Sequence, residues 1–235
     1  MIARPHLLLT GLLTFSLATR AQEQDDWSVE PSLYLFIAGV SGTVGVGDID
    51  VDLGGPSTAI VHVNFGAMGR VRVGYGAWAL TADVLYADLG FTNDPFSGNV
   101  QELIVEPTLG YRIDSWLEPL LGVRYDRVGG DLSGPSGNVR ARTEGWVDPI
   151  IGVHLMMSPT DSLSLHFRGD IGGFSVGSRL TWQVYPYLRW QFSKPVSLEA
   201  GYRILSIDYQ QGEGSDRIKF DVLELGPQIG LTLSF

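Results

Sequence analysis

The chain contains no cysteine and only two lysines, Lys194 and Lys219, among its 235 residues. Without cysteine no disulfide can staple the fold, so it must be held by other means. A soluble surface carries many charged residues of both signs, and two lysines are few for one. No run past residue 21 reaches the roughly 18 apolar residues that read as a transmembrane helix. Amphipathic helical spacing is also nearly absent. The formal net charge of −10 excludes the basic footprint of a nucleic-acid binder.

The first feature that is present is an export signal. Arg4 supplies positive charge, residues 7–18 (LLLTGLLTFSLA) form an apolar core, and Ala18 or Ala21 stands before a cut. Residues 1–21 therefore read as a signal peptide, against the alternative of a buried N-terminal helix. Cleavage after Ala21 removes Arg4 and Arg20 and no acid, so −10 becomes −12.

The second feature is alternation. In residues 180–192 (LTWQVYPYLRWQF) one face is Leu180, Trp182, Val184, Pro186, Leu188, Trp190 and Phe192, and the other is Thr181, Gln183, Tyr185, Tyr187, Arg189 and Gln191. A period of two is the mark of a strand. Ten such strands follow, at about 29–42, 62–75, 78–89, 100–113, 117–129, 144–157, 163–174, 179–192, 196–208 and 218–235. Short connections at 76–77, 114–116, 158–162 and 193–195 alternate with longer Gly-, Ser- and Asp-rich ones near 43–61, 90–99, 130–143, 174–178 and 209–217. No linker divides residues 22–235, so they read as one domain.

Alternation alone does not say which face is inside. Four features favour a barrel with its apolar face in lipid over a soluble, lipocalin-like barrel or sandwich. The strands are long, where soluble strands average about 5–6 residues. The polar face is glycine-rich (Gly66, Gly110, Gly122, Gly152, Gly201, Gly230), as a crowded lumen requires. Outward aromatics gather at both ends, Tyr75, Trp78, Trp190, Phe192 and Phe235 at one and Tyr86, Tyr125 and Trp182 at the other. Short turns alternate with long loops, as at the two rims of a membrane barrel. The expected fold is thus all-β, a transmembrane antiparallel up-and-down barrel of ten strands.

The ending Gln228-x-Gly230-x-x-Leu233-x-Phe235 resembles the signal that outer-membrane assembly machinery reads on a last strand. The stretches WSVEPSLYLFIAGVSGTVGVG (27–47), GAWALTADVLYADLG (76–90), EGWVDPIIGV (144–153), RGDIGGFSVGSRLTWQ (168–183) and LEAGYRILSIDYQ (198–210) resemble a widespread group of uncharacterised Gram-negative outer-membrane barrels. The resemblance implies a place in the outer membrane with both termini periplasmic. It implies as partners outer-membrane lipid, lipopolysaccharide and the assembly machinery, and a monomer. It brings no site residues. Ten strands is also the count of the outer-membrane proteases called omptins, but their two acidic and Asp–His pairs are not placed here.

Parity sends Arg70, Arg72, Asp83, Glu102, Glu106, Arg112, Glu118, Arg124, Asp126, Asp148, His154, His166, Arg168, Asp170, Arg189, Glu199, Arg203 and Glu224 inward. Isolated charges there would be costly, so they should pair. The shortest turns set Arg70 opposite Asp83, Arg112 opposite Glu118, Glu106 opposite Arg124 and Arg189 opposite Glu199. A five-residue turn at 158–162 sets His154 opposite His166, with Asp148, Arg168 and Asp170 as a polar cluster nearby. Ten strands lie near the side-chain-filled end of barrel sizes, so a wide pore is not expected.

Other motifs are weaker. Residues 173–177 (GFSVG) match a hydrolase elbow, but a strand follows where that motif needs a helix, so Ser175 reads as a loop residue. Asp48, Asp50 and Asp52 start like a calcium loop, but Leu53 and Ala59 break the pattern. The sequence points to no cofactor and no metal-ligand set. Two functional readings remain beside the soluble barrel. One is a structural, adhesive or narrow-passage barrel with a charged, largely plugged lumen. The other is an outer-membrane enzyme, lipid-modifying or omptin-like, acting at the long loops.

Overall fold

The structure, a computed structural model, describes residues 27–54, 60–93, 96–134 and 137–235. The expected signal peptide lies outside the described residues. Twelve strands form: β1 Trp27–Phe36, β2 Gly39–Val46, β3 Ile49–Gly54, β4 Ile60–Tyr75, β5 Trp78–Asn93, β6 Phe96–Tyr111, β7 Leu117–Gly134, β8 Gly137–Thr160, β9 Leu163–Gly172, β10 Leu180–Ser193, β11 Val196–Gln211 and β12 Ile218–Leu233. One short 3-10 turn, Gly214–Asp216, precedes β12. No α-helix occurs among the described residues.

Every pairing is antiparallel: β4 to β12 pair in chain order, β1 pairs with β4, β12 pairs with β2 and β2 with β3, and β12 also returns to β1 and closes the wall. The closing register sets Ser32 opposite Thr232 and Phe36 opposite Gln228. Beyond it, Val29 and Phe235 exchange two backbone hydrogen bonds, both 3.1 Å. The chain therefore ends on a backbone seam, and the last aromatic is locked to the first strand. β1 and β2 follow one another along β12, interrupted at Ile37–Ala38. They count as one staggered wall position, which makes the closed barrel ten-stranded, with β3 as a hairpin arm on β2.

The faces are those of a membrane barrel. Leu188, Trp190 and Leu231 are 36%, 48% and 51% exposed on the outside, while Arg124 and Asp126 are 0% exposed inside. A soluble core inverts this arrangement. Burial of charge is costly unless it is bonded, and most inward charges bond to one another, although both carboxylate oxygens of Asp126 have no hydrogen-bond partner among the described residues. Two outward prolines each interrupt one ladder. Partners lapse at Glu106–Pro107 between β6 and β7, and at Tyr185–Pro186 between β10 and β11, where a strand nitrogen has no hydrogen to give.

Turn chemistry sets the registers. Gly76 takes φ 57° in the two-residue turn joining Tyr75 to its partner Trp78, a left-handed position that glycine enters freely. At 114–116 the Ile113 amide donates to the Leu117 carbonyl at 3.0 Å. Two expectations change. The connection at 158–162 shrinks to Asp161–Ser162, because β8 continues to Thr160, which pairs with Leu163. His166 then faces Met156, and His154 faces Arg168, a slip of two that keeps both rings inside. Among the described residues, the connections expected near 43–61, 90–99 and 130–143 are largely sheet. Backbone pairing needs no apolar side chains, so the strands continue past the membrane band.

Candidate functional site

The lumen is layered. Toward the short turns lies an arginine and histidine layer. Arg189 reaches Glu199 at 2.8 Å and Glu30 at 3.3 Å. Arg70, directly across the strand pair from Asp83, bonds instead to Glu199 at 2.5 Å and lies over the Tyr187 ring. Asp83 accepts from the Tyr34 hydroxyl. His154 and His166 bond to each other at 3.0 Å despite the changed register. Ser164 holds His166 at 2.8 Å and Tyr187 holds His154 at 3.2 Å. The His166, Tyr187 and Tyr185 rings stack in sequence at 4.6 Å centroid spacings.

One expected pair is corrected. Arg112 lies beyond the end of β6, exposed at the turn rim. Glu118 is instead taken by Arg72 of β4, through bonds of 2.9 and 2.6 Å. The β6–β7 pairing ends at Gly110–Leu120, so Arg112 stands level with Glu118 but past the last paired residues.

The middle layer centres on Arg124. Its three nitrogens reach Glu106, Thr181 and Asp170, each at 2.7 Å. Gln183 donates to Glu106 at 3.0 Å and to Asp170 at 2.6 Å. Arg168 also closes on Glu106. β6, β7, β9 and β10 are thereby tied across the interior by one continuous set of charge-assisted bonds. Of the expected polar cluster, Arg168 and Asp170 belong here and the two histidines to the layer below. Asp148 joins neither. It faces Arg124 in register but accepts from the Ser178 amide at 2.6 Å and the Trp146 indole at 3.2 Å, holding the β9–β10 connection to the wall. Ser175 lies in that connection at φ 62°, its amide bonded to the Ser178 carbonyl at 3.0 Å. That is loop geometry, with no nucleophile elbow.

Toward the long connections the interior turns apolar, which the sequence reading did not anticipate. Tyr34, Phe36, Leu85, Ile104, Trp146, Leu205, Ile207, Tyr209, Phe220 and Val222 form one buried cluster, to which β3 adds Val51 and Leu53. Trp146 stacks on Tyr209 at 3.7 Å. Arg203 lies over Phe36 where the ionic and apolar layers meet. The signal was present: Leu205, Ile207 and Tyr209 continue the parity of Arg203. Asp50 and Asp52 stand on β3, Asp50 paired with Arg217 and Asp52 accepting from the Gly54 amide at 2.8 Å. No cluster of three metal-binding side chains occurs among the described residues.

The proposed assembly residues lie on β12 and its end. Gln228 points inward between Phe36 and Gly201, Gly230 lies between Tyr34 and Glu199, and Leu233 and Phe235 face out.

No family model matches the chain, and no curated protein matches it. Among solved structures it is similar to the outer membrane protein AlkL in lipid bilayers, at 13% identity and TM-score 0.40, covering 96% of this chain and 97% of that one. It is similar to a major outer membrane protein of Thermus thermophilus, at 16% and 0.38, covering 88% and 99%. It is also similar to the translocator domain of the autotransporter NalP of Neisseria meningitidis, at 11% and 0.37, covering 92% and 90%.

Proposed function

We propose that this chain is an integral outer-membrane barrel, with its short turns and both termini at the periplasmic side, whose lumen is closed to ions by the Arg124 layer and which works at its loop-side mouth. The observation that carries this reading is Arg124 itself, wholly buried and bonded to three strands besides its own. A ten-stranded wall leaves a narrow bore, and side chains that cross it leave little for water. For the alternative of an enzyme at the loops, no acid, base and nucleophile are assembled there among the described residues. In this reading the segment Gln228–Phe235 serves assembly, since its last residue completes the β1 seam.

Two measurements test it. A purified barrel of this type migrates faster on a gel before heating than after. In planar bilayers the wild-type protein is expected to give no ion steps, while the Glu106→Ala, Arg124→Ala, Asp170→Ala triple variant conducts. Porin-sized steps from the wild type would overturn the closure.

A further inference from the structure

The arginine and histidine layer encloses a cavity of about 120 Å³ at the short-turn end of the lumen. Five arginines line it, Arg70, Arg72, Arg112, Arg168 and Arg189, against two carboxylates, Glu30 and Glu118. Counting Glu199, which accepts from both Arg70 and Arg189, the balance is still five to three. This local excess of positive charge stands in a chain whose formal net charge is −10.

The guanidinium groups are not used up. Arg72 spends Nη1 and Nη2 on Glu118, and Arg70 only Nη2 on Glu199. Arg168 is 9% exposed, and its Nε has no hydrogen-bond partner among the described residues. A guanidinium carries five N–H donors, and a buried donor left open calls for an acceptor. Between β4 and β7 the cavity wall is Thr81, Thr108 and Gly110, short residues of β5 and β6 that leave the hollow open. At its inner end Arg168 also closes on Glu106 of the Arg124 layer.

Glu30 is the weakly held acid here. It faces Arg72 in register, but Arg72 is taken by Glu118. Its contact with Arg189 is 3.3 Å, against 2.8 Å from Arg189 to Glu199. Its side chain is 23% exposed, where those of Glu118 and Glu199 are 2% and 3%. Glu30 and Arg189 also line a second, outer hollow of about 400 Å³. Hydroxyl residues border that hollow, among them Ser158, Thr160, Ser162, Ser164, Ser197 and Ser234. The Glu30–Arg189 contact is thus common to both spaces.

We propose that the short-turn end of the lumen binds a phosphate group, which takes the place of Glu30 on Arg189 and is gathered by the other arginines of the cavity. Guanidinium forks match the oxygens of phosphate and carboxylate alike. Here the donors come from β4, β9, β10 and the end of β6, more directions than the two coplanar oxygens of a carboxylate meet. A tetrahedral dianion fits them better. The outer hollow suits the polar remainder of a phosphate monoester. The Arg124 layer stands behind the site, so the phosphate is held at a dead end. The side to which the site opens rests on the reading that the short turns are periplasmic; the site itself does not.

The test is titration calorimetry on the full chain, folded in detergent and checked by its heat-dependent gel shift. Inorganic phosphate is expected to bind, and acetate at matched ionic strength to bind about tenfold more weakly or less. Equal binding of the two would overturn the tetrahedral assignment. Arg112→Gln, at an exposed position that tolerates substitution, should weaken phosphate binding about tenfold, the worth of one charge-assisted bond. Glu30→Gln removes the competing carboxylate and should tighten binding by a similar factor. No binding by either the wild type or Glu30→Gln, or affinity unchanged in both variants, would overturn the site. Glycerol 3-phosphate separates a free anion from an ester. Tighter binding than inorganic phosphate supports the use of the outer hollow, and equal or weaker binding overturns it. Orientation is read separately with Ser162→Cys, since the chain has no native cysteine. A bulky maleimide that does not cross the outer membrane should leave it unlabelled in intact cells. Labelling would overturn the periplasmic opening and leave the calorimetric result standing.

Discussion

Arg72 on β4 holds Glu118 on β7 through two parallel hydrogen bonds of 2.9 and 2.6 Å, although two strands stand between them in the wall. The pair spans the bore, which is why an argument from hairpin registers assigns Glu118 to Arg112 instead. Both carboxylate oxygens are occupied by one planar guanidinium, the strong form of this interaction. Glu118 is almost wholly buried.

Removing one member of a buried pair strands the other. Arg72→Ala is therefore expected to destabilise the folded barrel by about 3–5 kcal/mol, read as a lower urea midpoint or a lower temperature of gel-shift loss. Arg112→Ala should stay within about 0.5 kcal/mol, as exposed sites do. The reverse order would restore Arg112 as the partner.

Much of the barrel was legible because strand facing is a local property. Alternation grouped Arg124, Glu106, Arg168 and Asp170 on one face and Leu188 and Trp190 on the other, and strand length, lumen glycines, aromatic ends and the turn pattern together set the ionic face inside. Turn lengths then set the Arg70–Asp83 and Arg189–Glu199 registers. Partner choice was less legible, because it depends on how far a long side chain reaches across a closed bore. Arg70 passes over its register partner to Glu199, and Asp148 turns to a loop amide. The apolar layer was hidden for another reason. Where both faces of β11 are apolar, as at Ile204, Leu205 and Ile207, the period of two no longer marks an inside. The break at Ile37–Ala38 carries no breaker residue, and a staggered pair of strands reads as one.

Gly76 offers a test of turn conformation free of packing. It sits at φ 57°, and a methyl added there would meet nothing within 4 Å. Gly76→Ala should therefore cost only the backbone preference, about 1 kcal/mol, seen as a small drop in the unfolding midpoint with an unchanged gel shift. A loss several times larger would mean that the turn is not the left-handed two-residue type.

The sharpest test of the orientation uses Leu121, near the middle of the outward band of β7 and 60% exposed. On a soluble barrel, replacing so open a leucine by arginine is close to neutral, because the guanidinium simply meets water. On a membrane barrel the same side chain enters hydrocarbon at mid-depth, at about 2–4 kcal/mol. Leu121→Arg is thus expected to lower stability by that amount in lipid, while arginine at the rim position of Trp116, 51% exposed and beyond the band, costs far less. The depth dependence is what identifies the solvent, since neither burial nor side-chain size changes sign between the two sites. Equal, small effects at both positions would place water around the apolar face and remove the membrane reading altogether.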